Sequence, residues 1–328
     1  VLLETIRQYG WELLTKKNRN CLQWKHLDYF IRVAENAYRE RMSSQAYWIG
    51  RLNIEFENML VALSRAEYQR RSKYALLAGL LAWYWTRSGK ISLSGKILGN
   101  IINEKRLPAE TRARILSGYG WANAFKFELW PELVTYAKRC VRIWQQMGNK
   151  NEESIATTDL ATIIHVTGET SEGLKLARKA YELAKIENNP GVVLNSLLAL
   201  SQALVNLKRC EELIPVVDQI LELADELENF HAKFVGHHNS GDCAAIRGKF
   251  NHAEKEYGKG LEATVQLGDT FYLLNEIMGI AISVSGMGRY VKALRLAGAA
   301  NEQARKNNST SREELPLQFW QELIKEHI

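Results

Sequence analysis

The chain has 328 residues and a mass of 37.5 kDa, 46% apolar and 24% charged, a globular mixture that excludes wholesale disorder. Twenty-two Gly against only five scattered Pro lean towards an all-α chain, because long helices tolerate Gly better than Pro; no apolar run reaches the ~18–20 residues that span a bilayer. The net charge of +6 is uneven: residues 1–73 hold 13 Lys+Arg against 8 Asp+Glu, and the remainder holds 30 against 29, which argues against a nucleic-acid-binding array.

Helical text begins directly at Val1 without a secretory leader, so the chain reads as part of a longer one. Leu2-Leu3-Glu4-Thr5-Ile6-Arg7-Gln8-Tyr9-Gly10 opens a helix that runs to about Leu14. A second helix is predicted over 26–37, through His26, Leu27, Tyr29, Phe30, Val33 and Ala37. A third is predicted over 48–63, through Trp48, Arg51, Leu52, Glu55, Asn58, Leu60 and Leu63. None of these follows the periodicity that starts at residue 70.

From there the text repeats itself every 40 residues or so. Gly288-Arg289-Tyr290-Val291-Lys292-Ala293 and Gly248-Lys249-Phe250-Asn251-His252-Ala253 share the form Gly-x-aromatic-x-x-Ala. The same frame meets Lys208-Arg209-Cys210 in degenerate form, then Gly168, then Glu128 with Trp130, then Gly89 with Ile91. Seven residues before the anchors stand Ala82, Ala161, Ser201, Gly241 and Ala281, with Trp121 the exception; twelve residues after three of them stand Ala180, Gly260 and Ala300. Each unit reads as two helices of about 15–18 residues, as the stripe Leu174, Ala177, Ala180, Tyr181 and Ala184 illustrates. The anchor Gly ends the first helix in a left-handed conformation, the aromatic starts the second, and the small residues let helices approach. Pro108 and Pro190 open units, as helix starts allow. After a polar break at 309–314, Leu317, Phe319, Trp320, Leu323 and Ile324 mark a capping helix. The pattern resembles the tetratricopeptide repeat, with a period of 40 in place of that family's shorter one. The fold class expected is all-α: an α-solenoid of six such helix pairs over 70–308, a helical junction over 21–69 and a cap over 309–328.

Catalytic chemistry finds little support. Gly89-Lys90-Ile91-Ser92-Leu93-Ser94-Gly95-Lys96-Ile97 mimics a phosphate loop, but it has one residue too many between the glycines and Ile97 where a Mg²⁺-binding hydroxyl belongs. It reads instead as a helix–turn–helix. His237, His238, Asp242 and Cys243 are metal-ligand types, and His238 and Asp242 are spaced i, i+4, but no second pair completes a set. A polar spot on the first helix of the fifth unit accounts for them. Trp83, Tyr84, Trp85, Trp121, Trp130 and Trp144 concentrate in the first two units and read as a thick core. Cys21, Cys140, Cys210 and Cys243 lack regular spacing and are expected as reduced, mostly buried thiols of a cytoplasmic protein. No catalytic residue, metal or cofactor is assigned.

The three N-terminal segments together resemble the junction found in bacterial signal-transduction ATPases of the STAND class. There Leu-Leu-Glu-Thr-Ile-Arg-x-Tyr closes a winged-helix segment, which would be 1–20 here. His26-x-x-Tyr29-Phe30 and Trp48-x-x-Arg51-Leu52-x-x-Glu55-x-x-Asn58 match the helices that follow. Leu294-Arg295-Leu296-Ala297-Gly298-Ala299-Ala300 is similar to that family's last repeat. The resemblance implies a sensor arm of a signalling ATPase or transcription regulator that binds an inducer or partner and controls an upstream ATPase or effector of the same chain; a constitutive protein-binding scaffold remains the alternative.

Tetratricopeptide arrays bind ligands on a concave groove lined by the first helix of each pair. Carried onto this frame, the groove positions are Thr158, Thr162 and His165, then Asn195, Gln202 and Asn206, then His238 and Asp242, then Asn275. Asn195, Gln202 and Asn206 share one helix face inside the apolar run 192–207, and three amides are not buried without partners. That face meets either water or a ligand. The expected partners are a protein, a peptide or a polar small-molecule inducer, and neither a membrane nor, for this segment, nucleic acid.

Overall fold

The computed structural model describes residues 9–306 other than 11, 125, 268 and 269. Most of the helix expected near Leu2–Tyr9 and all of the capping helix expected over 309–328 lie outside the described residues. Among the described residues there are helices and turns and no strand. No helix among them is long and apolar enough to cross a membrane. The chain divides into two compact units, Val1–Ile163 and Ile164–Ile328.

The first unit opens with α1 (Lys16–Glu40), α2 (Gln45–Ile54) and α3 (Phe56–Gln69). Helix α1 begins well before His26, because Thr15 caps it by accepting the Asn18 amide at 3.2 Å. The single helix expected over 48–63 is two helices that meet at Glu55, whose backbone leaves the helical region. On one side Leu52 turns into the core, on the other Met59, Ala62, Leu63 and Ala66 do.

Helices α4 (Arg71–Arg87), α5 (Ile91–Gly99), α6 (Ala109–Ala122), α7 (Trp130–Met147) and most of α8 (Lys150–Val166) complete this unit. The 89–97 segment forms the expected helix–turn–helix, with Gly89 left-handed at φ 74°. The second helix of this pair, α5, spans only 9 residues, short of the length expected. Tyr84 and Trp85 are fully buried, and Trp144 nearly so, each contributing about 1.5–3 kcal/mol, whereas Trp83 and Trp130 are only partly buried and Trp121 is exposed, so the expected thick aromatic core holds for only part of the set. Tyr84 also donates its hydroxyl to Asn53 Oδ1 at 2.8 Å, tying α2 to α4. Arg41, buried at the end of α1, places one guanidinium nitrogen 2.7 and 2.8 Å from the two Glu152 carboxylate oxygens on α8, where Tyr38 also donates at 2.9 Å. In the second repeat Gly118 takes the close-packing role that the frame assigned to Trp121: a Cβ there would lie 2.3 Å from Ala82 Cβ.

The second unit runs through α9 (Thr170–Glu187), α10 (Pro190–Asn206), α11 (Cys210–Glu226), α12 (Phe230–Ile246), α13 (Phe250–Leu267), α14 (Thr270–Gly286) and α15 (Tyr290–Lys306). Here the 40-residue frame holds to the residue. The second helices start at 170, 210, 250 and 290, and the left-handed anchors Gly168, Gly248 and Gly288 have φ 97°, 69° and 76°. Lys208 occupies the same slot at φ 56° without being Gly, a conformation that costs an L-residue roughly 1–2 kcal/mol. Asn188 at φ 49° ends α9, and Asn189 caps α10 ahead of Pro190 at its first turn. The recurrent small residues Ala180, Ser201, Gly241, Gly260, Ala281 and Ala300 are all buried. Phe250 packs where a Gly286 side chain would stand, filling the space between neighbouring pairs as the aromatic slot anticipated.

The cysteines depart from expectation. Cys210 and Cys243 are joined as a disulfide, with Cα atoms 5.5 Å apart, so the prediction of four reduced thiols fails for this pair. The 40-residue frame brings the start of α11 beside the end of α12, and spacing within the sequence carries no trace of that. Cys140 is a buried free thiol, whereas Cys21 is exposed.

Candidate functional site

The first helices of the second unit, α10, α12 and α14, touch one another through polar side chains. On α10, Gln202 donates to Asn206 Oδ1 at 3.3 Å, and the Asn206 amide meets His165 Nε2 at the end of α8. The amide face therefore partly satisfies itself. The Nδ1 atom of His165 is buried without a partner, and burial lowers its pKa, favouring the neutral ring. One pair further on, Asn239 donates to Ser201 Oγ at 2.8 Å, linking α12 to α10.

The densest cluster surrounds His238 on α12. Its Nδ1 lies 2.6 Å from Glu276 Oε1 on α14, and its Nε2 lies 3.6 Å from Asp242 Oδ2 one turn along its own helix. Tyr257 of α13 donates to Asp242 Oδ1 at 2.6 Å. Burial opposes a charge on His238, but the Asp242 and Glu276 carboxylates outweigh it and push its pKa up to about 9. Burial also lifts Glu276 above the usual carboxylate range, against the pull of His238. The Tyr257 phenol is pushed up by burial and by Asp242, which keeps it a donor. A neighbouring pair, His237 and Glu256 at 2.9 Å, is completed by Lys259 at 2.8 Å, and the His237 hydrogen bond holds Glu256 down at about 2.

Glycines make this cluster possible. Tyr257 lies between α12 and α14, where a Cβ on Gly241 would come within 2.8 Å of its ring and one on Gly279 within 2.5 Å. Glu276 sits against Gly260, whose Cβ would stand 2.4 Å from Oε2.

The residues expected to line a groove are thus distributed as follows. His165, Gln202 and Asn206 form one connected group, and His238 and Asp242 form another. Asn195 and Asn275 are half-buried on α10 and α14. In the first unit Thr162 donates to the Thr158 carbonyl at 3.0 Å. Thr158 itself is only 5% exposed, a buried position where an open lining residue was expected. Tyr257 and Glu276 escaped the sequence reading. Glu276 carried a usable signal, as the single charged residue of α14. Among the described residues no group of three or more His, Cys, Asp or Glu is placed to hold a metal ion.

No family model matches this chain, and no curated protein does. Solved structures match its fold at low identity. A Rap protein complexed with the competence and sporulation factor superposes with TM-score 0.66 at 13% identity, over 86% of this chain and 77% of that one. NprR in complex with its cognate peptide NprX gives 0.63 at 14% identity, over 88% and 81%. A STAND protein with a tetratricopeptide-repeat sensor from Pyrococcus horikoshii gives 0.64 at 12% identity, over 95% of this chain and 50% of that one. The chain therefore spans half the length of that protein. The fold is that of the tetratricopeptide-like α-solenoids.

Proposed function

We propose that this chain is a non-enzymatic sensor arm that binds a peptide, or a polar small molecule, on the first helices of its second unit. The observation that carries the reading is the run of polar side chains on α10, α12 and α14 set in otherwise apolar helices. Asn195, Gln202, Asn206, His238, Asp242 and Asn275 are the proposed contacts, with His165 continuing the series. Amides present donors and acceptors together, which suits a peptide backbone. NprR, which shares this fold, is solved in complex with its cognate peptide NprX, and this supports a peptide over other ligands.

In this reading residues 21–69 join the repeats to an upstream ATPase or effector of a bacterial STAND-type regulator, with 1–20 closing a winged-helix segment. Occupancy of the arm controls that module, in the cytoplasm.

The test is affinity selection of a random hexapeptide pool on the purified chain, read by mass spectrometry. Saturable retention that falls in Gln202→Ala/Asn206→Ala supports binding on these helices. Retention of nothing, at any peptide concentration short of aggregation, sinks it. The control role is checked in the full-length parent, where an enriched peptide should change ATP hydrolysis or self-association. An unchanged parent would leave a constitutive scaffold.

A further inference from the structure

We propose that the Asp242 carboxylate is the docking point for a positively charged group of the ligand, an ammonium or guanidinium. This rests on the peptide-binding reading above and sharpens it.

Formal charge is segregated in the second unit. The second helices α9, α11, α13 and α15 carry 7, 6, 5 and 5 Asp, Glu, Lys or Arg residues, whereas α10, α12 and α14 carry 0, 2 and 1. Those three are Lys233, Asp242 and Glu276. Lys233 is drawn away to Asp225 of α11 and lies over the Phe230 ring, 5.5 Å from its centroid. Both carboxylates converge on His238. The first helices therefore hold one ionic centre amid amides, hydroxyls and aliphatic groups, and a ligand lying along them meets charge at a single point.

The chemistry of that centre selects the sign. Protonated His238 offers two N–H groups, but Nδ1 is committed to Glu276 and Nε2 faces Asp242. No donor is left over for an anion. Tyr257 spends its one hydroxyl proton on Asp242 Oδ1. Three donors thus stand against four carboxylate oxygens, and one positive charge against two carboxylates. The shortage shows at Glu276, which is fully buried and whose Oε2 has no hydrogen-bond partner. Asp242 is the member a ligand can reach, with its side chain 30% exposed and Oδ2 held only by the long contact to His238. Tyr257 fixes the carboxylate rotamer in advance, so little ordering is required when a cation arrives. A charge-assisted hydrogen bond from an ammonium or guanidinium supplies both the missing donor and the missing charge.

The experiment compares three hexapeptide pools on the whole chain. All are acetylated and amidated to remove terminal charges, built from neutral residues, and fixed at one central position as Arg or Lys, as norleucine, or as Glu. Retention of the basic pool is expected to exceed the norleucine pool by about tenfold. Asp242→Asn still accepts from Tyr257, and there the ratio is expected to fall to about twofold or less; Asp242→Glu should recover part of it. The comparison on the unaltered chain stands by itself should a variant melt early. Equal retention of basic and norleucine pools, or preference for Glu, overturns the cation site while leaving peptide binding intact. Retention of no pool at all overturns both.

Discussion

Tyr257 donates its hydroxyl proton to Asp242 Oδ1 at 2.6 Å, although the two residues belong to different helices and the ring itself is 1% exposed. The reach is possible because Gly241 and Gly279 leave room on either side of the ring. A residue of the second helix thereby completes a polar centre on the first helices, and packing and binding chemistry share one side chain.

That arrangement predicts a sharp contrast among glycines. Gly279→Ala places a methyl 2.5 Å from the Tyr257 ring, and Gly241→Ala one at 2.8 Å. Each should destabilise the chain by about 1–3 kcal/mol through overpacking. Gly258→Ala, in the same helix as Tyr257 but with nothing within 4 Å, should be neutral or stabilising by up to about 1 kcal/mol. Urea denaturation of the three variants decides it: equal effects would mean that Tyr257 is not wedged.

Stability should also fall as pH rises above neutral. His238 has a folded pKa of about 9 against 6.5 for the free side chain. The folded state then holds the proton more tightly, so its contribution is complete below pH 6.5 and disappears as pH climbs through 9. The raised carboxyl of Glu276 has the same sign but acts lower, its contribution being lost as pH rises from 4.5, the usual value for a Glu carboxyl. Between pH 6.5 and 9.5 a loss on the order of 2 kcal/mol is expected. At the acid end Glu256, depressed to about 2, contributes stability that is lost as pH falls from 4.5 towards 2. Melting curves of the chain and of His238→Gln test the alkaline limb, and an unchanged slope in the variant would assign it elsewhere.

The parts of this fold that were legible in the sequence are those fixed by local chemistry. Gly168, Gly248 and Gly288 announce left-handed turns because a residue without Cβ adopts that backbone at no steric cost. The small residues Ser201, Gly241 and Ala281 announce close helix contacts through their spacing alone. Lys208 shows the limit, since it takes the left-handed slot and only the frame around it gives that away. The His238–Glu276 pair spans 38 residues, and Tyr257 enters from another helix; neither periodicity nor motif spacing encodes such meetings. The Cys210–Cys243 bridge was missed for the same reason.

The disulfide gives a third expectation. Cys210 and Cys243 are separated by 33 residues, and closing a loop of that size stabilises a domain by about 3–4 kcal/mol in the chain-entropy description. Reduction should lower the melting temperature, and Cys210→Ser/Cys243→Ser should melt like the reduced protein with or without reductant. Mass spectrometry after alkylation gives the bonded state directly. Finding both thiols free after aerobic purification would show that the two sulfurs are neighbours without being partners.

The amide group on α10 supports the last prediction. Gln202 bonds to Asn206, Asn206 in turn meets His165, and these contacts are solvent-exposed. An exposed hydrogen bond contributes little to folding because water replaces it at similar free energy. Gln202→Ala/Asn206→Ala should therefore leave melting nearly unchanged. The unpartnered Nδ1 of His165 stays buried in either case, and its Nε2, released from Asn206 at an exposed contact, is open to water. Binding is a different matter, since amides covered by a ligand lose water and must find partners in it. The double substitution should weaken a bound peptide by about 1–3 kcal/mol, roughly 5- to 150-fold in affinity. Calorimetric unfolding and a binding titration on the same preparation separate the outcomes. A large drop in melting temperature with affinity intact would mean that these amides hold α8 and α10 together and that the ligand lies elsewhere.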